Sequence, residues 1–391
     1  MAPLQRAVYL DASATTPPAG AVLEAMAAAQ ATAWANPSSL HGYGLAAAER
    51  LERSRWRTAE LLGCRPEELI YTSGGTESIH LALLGLAASR PRGRALISSI
   101  EHPATVAAAA QLERQGWRVE RLPVNRQGLL DPGVLADALV TPTALVSLIW
   151  GQSEVGTLQP IALLGQVCRR AGALLHVDAV QVVGQQTVDF AALPVDLLSL
   201  AAHKFQGPRG IGALLVRQGT PLQPLLAGGG QEWGLRAGTE PVALAAGLAR
   251  ALELRMADEP QRAATEALRD ALLQQLRPLA GLQLSGTDPL RDRTHRLPHH
   301  ISLLVGDRTG RPLSGRALVR ELWREGYAVS SGSACSSSGS SASAVLLALG
   351  YSAAEAASGL RISLGPWLSG TDLAGFPNAL DRVRERLSPN P

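Results

Sequence analysis

The sequence predicts an α/β protein: a mainly parallel sheet with helices on both faces, followed by a smaller α+β region. Short apolar runs alternate with helical stretches across residues 69–216, and such runs are typical of parallel strands buried on both faces. The alternation stops there, and a long helical pattern begins near Pro241. Parallel sheets bind ligands at the carboxyl ends of their strands, so we expect the chemistry at that edge.

The elements are predicted from the spacing of apolar residues and from turn residues. A strand begins at Val8 and runs into a turn at 11–17, an Ala-rich helix extends to about Ala33, and an amphipathic helix covers 45–62. Seven strands are predicted at 69–72, 95–99, 117–122, 144–149, 174–178, 196–201 and 211–216. Helices are predicted at 76–88, after Pro103, at 131–139, 160–171 and 314–326, and a last strand at 360–364.

The chain is long enough for two domains, because 391 residues that are 46% hydrophobic can bury two substantial cores. We expect the large domain to span 15–258. The small domain is expected to combine 1–14 with 259–391 and to carry a Ser/Gly-rich loop at 330–341.

Composition argues against several classes of protein. The net charge is +3 and the basic residues are scattered, so no nucleic-acid surface is indicated. Three cysteines, at 64, 168 and 335, are too few and too far apart for a disulfide framework or a zinc cluster. No signal peptide is recognisable, and no apolar run approaches the roughly 20 residues of a membrane span. We expect a soluble, cytoplasmic protein with reduced thiols and no intrinsic metal.

Lys204 is the only lysine in the sequence, and the other 35 basic residues are arginine. Arginine can replace lysine in most roles of a cation, but it is never deprotonated and cannot form a Schiff base with an aldehyde. Lys204 follows a buried strand and precedes a Gly/Pro-rich turn. The alternative is a surface lysine left by chance in an Arg-rich composition.

A Gly-rich turn, Gly74-Gly75-Thr76-Glu77-Ser78, separates a strand from a helix. Glycines let a ligand approach the backbone, and the first N–H groups of a helix bind anions such as phosphate. An ordinary turn with a threonine cap explains the same residues equally well.

Two ionisable residues stand at strand ends. Asp178 follows an apolar strand, and its carboxylate would pair well with a protonated pyridine nitrogen, although capping the next turn is the simpler role. His102, after Glu101, could stack on a flat cofactor or relay protons, although a structural role is more common.

The most unusual stretch is the loop at 330–341, which holds eight serines, two glycines and Cys335. Such a segment cannot pack into a core and is expected to be mobile. Its thiol would be accessible and reactive. The alternative is a linker with an incidental cysteine. Cys64 and Cys168 lie on ordinary helical stretches and are interpreted as packing residues.

Together these stretches resemble the cysteine desulfurases, which are pyridoxal-phosphate (PLP) enzymes of fold type I in the class-V aminotransferase family. The resemblance covers nearly the whole chain, from Tyr9 to Gly365, and its motifs occur in the family's order. They are Asp11-x-x-Ala-Thr-Thr-Pro17, Asn36-Pro-Ser-Ser-x-His41, Thr72-Ser-Gly-Gly-Thr-Glu-Ser78, Glu101-His102, His176-Val-Asp-Ala-x-Gln181, His203-Lys204, Gly228-Gly-Gly-Gln-Glu232, Arg236-Ala-Gly-Thr239, Ser330-Ser-Gly-Ser-Ala-Cys335 and Arg361-x-Ser-Leu-Gly365.

The resemblance implies the cofactor and its ligands. Lys204 would hold PLP as an internal aldimine and later move the substrate's α-proton. His102 would stack on the ring, Asp178 would pair with the ring nitrogen, and Gln181 would hydrogen-bond the phenolic oxygen. The phosphate would be held by Gly75, Thr76 and His203, with Thr239 from the second subunit of a homodimer.

The resemblance also implies the substrate and the route of the sulfur. Arg361 would grip the carboxylate of L-cysteine, with Asn36 and Ser153 also in the substrate site. Cys335 would attack the substrate's sulfur, leaving alanine and a persulfide. The sulfur would pass to an acceptor protein such as an iron–sulfur scaffold, for which Cys335 could be a transient cluster ligand.

Two positions depart from the family pattern. Ser153 stands where the family usually has an asparagine that contacts both cofactor and substrate, and serine is too short to do both. Ala201 replaces a serine that hydrogen-bonds the phosphate. Each loss costs about 0.5–1.5 kcal/mol, which would weaken binding several-fold without abolishing the chemistry.

Two alternatives stay open at this stage. A cystine or selenocysteine lyase, or an aminotransferase of the same fold, would not need Cys335. An inactive scaffold would not need Lys204, so retention of that single lysine argues against it.

Overall fold

The computed structural model describes residues 7–332 and 342–388. The strands of this part are β1 Val8–Tyr9, β2 Leu69–Thr72, β3 Arg94–Ser98, β4 Arg118–Leu122, β5 Leu145–Ile149, β6 Leu174–Asp178, β7 Leu197–Ala201, β8 Gly212–Val216, β9 Leu282–Leu284, β10 His300–Val305, β11 Tyr327–Ala328 and β12 Gly359–Ser363. The helices are α1 Gly20–Thr32, α2 Gly42–Leu62, α3 Gly75–His80, α4 Leu86–Ala88, α5 Pro103–Arg114, α6 Pro132–Leu139, α7 Ile161–Ala171, α8 Val242–Ala257, α9 Glu259–Leu276, α10 Gly315–Arg324, α11 Ala344–Ala348, α12 Ala353–Ala356, α13 Gly370–Leu373 and α14 Phe376–Leu387.

The large sheet contains the seven strands that the sequence predicts, in the order β2-β8-β7-β6-β5-β3-β4. All neighbouring pairs from β7 to β4 are parallel. β8 alone is antiparallel to both of its neighbours, so β2 runs in the same direction as β7. The predicted α/β fold with a mainly parallel sheet is therefore confirmed.

Alternate residues of each strand pack into different cores, because successive side chains point to opposite faces of a sheet. In β3, Leu96 lies in the core on one face and Ala95 in the core on the other. In β8, Leu215 and Leu214 divide in the same way. Both faces are covered, which is why the inner strands β5, β7 and β8 are buried along their whole length, whereas the edge strand β4 is largely polar.

A second, antiparallel sheet is formed by β9, β10 and β12, with β10 in the centre. Its core includes Leu10 together with residues of α9, α10 and α14. The N-terminal segment reaches this core because β1 pairs in parallel with β11. The proposed boundaries at 14/15 and 258/259 stay a prediction.

Some elements escaped sequence analysis. β9 and β11 have three and two residues, too few to show a period. The predicted helix at 76–88 is interrupted by a π-helical turn, Leu81–Gly85.

Candidate active site

One edge of the large sheet collects most of the residues singled out from the sequence. β2, β3, β5, β6 and β7 run in one direction, so their carboxyl ends meet at this edge. These strands are followed or ended by a short set of polar and glycine residues: Gly75 and Thr76, His102, Ser153, Asp178 and Gln181, and His203 with Lys204. Residues far apart in sequence are thus placed around one edge because parallel strands end there.

Lys204 ends a 3₁₀ turn directly after β7. Its Nζ donates to the carbonyl oxygens of Ser13, at 2.7 Å, and Ala14, at 2.9 Å. The Ser13 carbonyl also accepts from Gln181 Nε2 at 2.8 Å, and the Ser13 N–H donates to Ser363 Oγ at 2.9 Å. The turn at 11–17 therefore crosses the site, and sequence analysis did not assign Ser13 this central place.

His102 and Asp178 form an electrostatic group with Lys204. His102 caps α5 by accepting the Ala104 N–H on Nδ1 at 3.1 Å, which leaves Nε2 as the protonated nitrogen of the neutral ring. Burial lowers the pKa of His102, and the nearby Asp178 opposes that shift. Burial raises the pKa of Asp178, whose Oδ1 accepts the Val180 N–H at 3.0 Å. The ionised carboxylate is stabilised here by cations.

Glu101 is a buried carboxylic acid next to this group. Its Oε1 accepts from the Ser98 hydroxyl and from the Ile149 N–H, at 2.9 Å for the latter. Its Oε2 is buried and has no hydrogen-bond partner among the described residues. Burial raises the pKa of Glu101 to about 8, so the group is mostly protonated at neutral pH. Sequence analysis treated Glu101 only as part of a motif.

His176 joins three strands below the site. Its ring nitrogens lie 2.8 Å from Ser147 Oγ on β5 and 2.9 Å from Ser199 Oγ on β7. Burial lowers the pKa of His176 to about 3, so the ring is neutral. These contacts hold β5, β6 and β7 in register and give His176 a structural role.

The Gly-rich turn after β2 packs closely against Val180, so Gly75 has no room for a side chain. A Cβ on Gly75 would lie 2.8 Å from Val180 Cγ2 and 3.8 Å from the Ala201 Cβ. The first N–H groups of the helix that begins here have no acceptor within the helix. A phosphate would satisfy them.

His203 lies on the connection after β7, next to Lys204, and contacts the N-terminal turn at 11–17. Its Nδ1 is 3.1 Å from Thr15 Oγ1. Burial lowers the pKa of His203 to about 4, so the ring is neutral at physiological pH and can still donate one N–H.

Thr239 lines a cavity of about 160 Å³ that reaches Thr72 and Ser73 at the end of β2. Arg236 lies in the same lining and pairs with Glu77 at 3.0 Å. Thr239 thus shares this cavity with the end of β2 of its own chain, and its assignment to the phosphate site of a second subunit stays a prediction.

Arg361 occupies β12 and reaches toward the N-terminal turn. Its Nη2 pairs with Asp11 Oδ1 at 2.7 Å, and its Nη1 donates to the Ser153 carbonyl at 3.1 Å. Its Nε is buried without a partner among the described residues. The guanidinium thus retains donor capacity for a carboxylate.

The turn after β5 is held by Gln152 and His300. Gln152 Nε2 donates to the Ile100 carbonyl at 3.1 Å, and its Oε1 accepts from the Glu154 and Val155 N–H groups. His300 Nε2 lies 3.0 Å from the Ser153 carbonyl. The Gln152 amide is thus engaged in holding the turn.

Asn36 lies on an exposed loop, and its Oδ1 accepts the Ser38 N–H at 2.9 Å. The hydrogen bond found for this side chain is local, so its place in a substrate site stays a prediction.

Two of the three cysteines lie in the described part of the chain. Cys335 lies outside the described residues. Cys168 is buried and Cys64 packs against the same core. Burial raises the pKa of each of these two thiols to about 12, so neither is a thiolate at neutral pH.

Within the described residues, no group of three or more His, Cys, Asp or Glu side chains could hold a metal ion. In the same part of the chain, no helix combines the length and the apolar character needed to cross a bilayer.

Known proteins share both this sequence and this fold. Residues 8–374 match the family model described as aminotransferase class-V. The chain is 38% identical over 389 residues to a cysteine desulfurase IscS of Dictyoglomus turgidum, covering 98% of this chain and 96% of the relative. It is 40% identical over 385 residues to a cysteine desulfurase of Cereibacter sphaeroides, with coverages of 98% and 95%.

Solved structures agree with these relatives. A NifS-like protein superposes with a TM-score of 0.87 at 32% identity, covering 97% of this chain and 99% of that one. SspA in complex with cysteine superposes with a TM-score of 0.80, also at 32% identity, covering 92% and 99%. The family match spans most of the chain, and the relatives match it nearly end to end. The resemblance stated from the sequence is thereby confirmed: the chain belongs to the class-V aminotransferase family, among its cysteine desulfurases.

Proposed function

We propose that this protein converts L-cysteine to L-alanine and transfers the sulfur, through a persulfide on Cys335, to an acceptor protein such as an iron–sulfur scaffold. The observation that carries the proposal is that the carboxyl ends of five strands of the large sheet lie at one edge, together with Lys204. His102 and Asp178 lie at the same edge, and Arg361 contacts the N-terminal turn that Lys204 also contacts. The relatives named cysteine desulfurases support the same activity.

The residues at this edge fit PLP. Asp178 is a buried carboxylate whose raised pKa shows that it gains from a cationic partner, which a protonated pyridine nitrogen supplies. Gln181 and His102 would contact the ring, and Lys204 would form the Schiff base. The phosphate would be held by Gly75, Thr76, His203 and, from a second subunit, Thr239. When bound, PLP withdraws electrons from the substrate's α-carbon, and Lys204 is the group placed to move the proton there.

Arg361 would hold the substrate carboxylate. Its guanidinium is fixed by Asp11 and the Ser153 carbonyl, and its unpartnered Nε leaves hydrogen-bonding capacity. Fixing both ends of an amino acid, the amine at Lys204 and the carboxylate at Arg361, orients the β-carbon and its sulfur.

Cys335 is the proposed nucleophile. Its sulfur forms a bond to the sulfur of L-cysteine while the carbon–sulfur bond breaks. The carbon keeps the electron pair and takes up a proton, so alanine leaves and the two sulfurs remain as a persulfide. Two observations support the choice. Cys64 and Cys168 are held as thiols by burial, and Ser330, just before the segment of Cys335, exchanges backbone hydrogen bonds with Arg361 at 2.7 and 3.2 Å.

One incubation tests the proposed function. The protein, loaded with PLP, is given L-cysteine, and alanine, sulfide and protein-bound persulfide are assayed together. We expect alanine and persulfide in equal amounts in the first turnover. Alanine without persulfide would instead indicate a lyase, and a protein that never binds PLP would indicate an inactive scaffold.

Ser153→Asn is expected to raise kcat/KM for L-cysteine, or the affinity for PLP, by roughly two- to tenfold, the effect of one added neutral hydrogen bond. Asparagine reaches further than serine and carries both a donor and an acceptor. The competing hypothesis is that Gln152 makes the missing contact, in which case Gln152→Ala is the damaging change. Measuring both constants for both variants decides. If neither variant changes either constant, the turn does not reach the ligands.

A homodimer is part of the proposal because Thr239 is assigned to the partner's phosphate site. Its support is a patch defined by two exposed aromatic side chains, Trp34 and Tyr43, together with the exposed Leu40, which lies between them in sequence. The Trp34 and Tyr43 rings lie 5.7 Å apart, and Leu40 is 90% exposed. Apolar side chains gathered in this way mark association surfaces.

Leu40→Asp is expected to shift the protein from dimer to monomer, because it buries a charge in the interface. Light scattering coupled to gel filtration measures the mass. Val140→Asp is the matched control, since Val140 is 84% exposed but directly follows α6, in a different part of the chain. Equal masses for both variants would contradict the placement of the interface.

A further inference from the structure

His300 is a buried histidine of the antiparallel sheet to which neither the motifs nor the proposed chemistry assigns a task. It is the first residue of β10, and its side chain is fully buried. Burial lowers the pKa of His300 well below its usual value, and the neighbouring Arg296 acts in the same direction, so the ring is neutral. A neutral imidazole has one N–H donor and one acceptor nitrogen. The position of that single proton therefore decides what the ring can hold.

The register of β10 and β12 explains why His300 lies near Arg361. The two strands are antiparallel, and His300 is opposite Ser363, two residues from Arg361. Residues opposite each other point to the same face of a sheet, and so do residues two apart along a strand. His300 and Arg361 are therefore diagonal neighbours on one face. Ile301 and Ile362 point to the other face, where they pack in the smaller core.

The side chains of His300 and Arg361 contact the same atom, the carbonyl oxygen of Ser153 in the turn after β5. His300 Nε2 lies 3.0 Å from this oxygen, and Arg361 Nη1 donates to it at 3.1 Å. A carbonyl oxygen only accepts, so Nε2 carries the proton of the neutral ring, and Nδ1 is buried without a partner in the described part of the chain. The oxygen has two lone pairs, and these two donors can occupy both. The direction of the Ser153 carbonyl is thus set from two strands.

The backbone on both sides of this contact is itself held in place. Arg296 is buried, and its Nε donates to the His300 carbonyl at 3.2 Å. Across the sheet, the Ser363 hydroxyl accepts the Ser13 N–H at 2.9 Å. His300 therefore presents its N–H from a fixed strand. The contact uses the backbone of Ser153, so it does not depend on which side chain stands at that position.

We propose that His300 is a positioning residue for substrate binding: its Nε2–H holds the Ser153 carbonyl where that carbonyl orients the guanidinium of Arg361. The inference rests on the proposed function, in which Arg361 binds the carboxylate of L-cysteine. A guanidinium binds a carboxylate through two parallel hydrogen bonds only when its plane is correctly oriented. Asp11 holds Nη2 and the Ser153 carbonyl holds Nη1, so a displaced carbonyl leaves the guanidinium fixed at one nitrogen only. In this role His300 acts through Arg361 and not on the reacting atoms.

The test compares L-cysteine with cysteamine, which has the same amine and thiol but no carboxylate. Binding of either compound to the PLP-loaded enzyme is followed by titration of the cofactor's absorption. His300→Phe keeps an aromatic ring and removes the N–H. We expect it to weaken L-cysteine binding and raise KM by roughly three- to tenfold, the effect of one lost neutral hydrogen bond, with kcat within about twofold of the wild type. The affinity for cysteamine should not change.

His300→Gln should recover most of the affinity for L-cysteine, because the glutamine amide also offers an N–H donor. His300→Ala removes the same donor and decides if His300→Phe does not fold. In an enzyme that already carries Arg361→Ala, the loss of the His300 N–H should cost no further affinity, since the two residues act as one unit.

His176→Gln is the matched control for the loss of a buried, neutral histidine. His176 is as fully buried as His300, but its ring contacts Ser147 and Ser199 instead of Ser153. We expect this variant to lower the melting temperature and to leave KM for L-cysteine unchanged. A purely structural role of His300 would give both variants the same result.

Unchanged L-cysteine affinity in His300→Phe and His300→Ala would overturn the proposal. Equal weakening of L-cysteine and cysteamine would do the same, because the loss would then not concern the carboxylate. A rise of KM in His176→Gln as large as that in His300→Phe would also count against it. If the wild type, loaded with PLP, binds neither compound, the proposed function itself fails, so the two failures are distinguishable.

Discussion

Lys204→Arg will abolish turnover of L-cysteine while leaving the fold intact. Arginine keeps the positive charge and can still donate to the Ser13 and Ala14 carbonyls that Lys204 contacts. It cannot lose a proton at neutral pH, so it forms no Schiff base and moves no proton at the substrate's α-carbon. A catalyst that loses its covalent attachment and its base together loses several orders of magnitude in rate. Alanine production and circular dichroism measure the two halves of this expectation.

Borohydride reduction provides the sharper readout for this variant. In the wild type it should fix the pyridoxal group to the peptide that contains Lys204, and in Lys204→Arg to no peptide. Arg209→Lys is the companion variant, because it adds a lysine on the same connection, close enough to His203 to affect its pKa. Pyridoxal fixed to the Lys204→Arg chain would refute the assignment, since the sequence offers no second lysine.

Cys335→Ser will still bind L-cysteine and change the absorption of the cofactor, but it will form no persulfide. Binding depends on Lys204 and Arg361, which the substitution leaves in place. Transfer depends on a thiolate, and a serine hydroxyl is a far weaker nucleophile at neutral pH. We expect persulfide formation to fall below detection, and mass spectrometry of the protein after a single turnover checks it.

Cys64→Ser is the control for this experiment. Cys64 is half-buried and its thiol is held protonated, so its loss should leave sulfur transfer unchanged. If Cys335→Ser makes alanine at the wild-type rate, the enzyme is a lyase or an aminotransferase and the Ser/Gly-rich loop is a linker. If Cys64→Ser is the variant that loses the persulfide, the nucleophile is misassigned.

The large sheet and most of its edge residues could be predicted because their signals are local in sequence. For example, the apolar run at 174–178 predicts a strand, and its last residue, Asp178, shows in the same run where a carboxylate will lie. The direction of β8 could not be predicted, because a strand's orientation depends on pairing partners rather than on its own residues. Lys204 could be identified from the sequence although it is a single residue, because no other side chain can form a Schiff base in its place.

Residues whose roles come from packing could not be predicted. Glu101 differs from a surface glutamate only through its burial, which the sequence does not display. The place of Ser13 depends on its backbone carbonyl, which every residue has. The contact of Arg361 with the Ser153 carbonyl joins positions 208 residues apart. Such links appear only when the chain is folded.

Lys204 and Arg361, the residues proposed to bind the amine and the carboxylate of the substrate, also differ in the sequence separation of the elements that position them. Lys204 lies on the connection between β7 and β8, which are neighbours in both sequence and sheet. Arg361 meets Asp11 across 350 positions. Contacts between residues close in sequence form early, because closing a short loop costs less conformational entropy than closing a long one. The N-terminal part of a chain also leaves the ribosome before the C-terminal part. We therefore expect the sheet edge that carries Lys204 to form before Arg361 reaches Asp11, so that the residue proposed to hold the substrate carboxylate joins the site last.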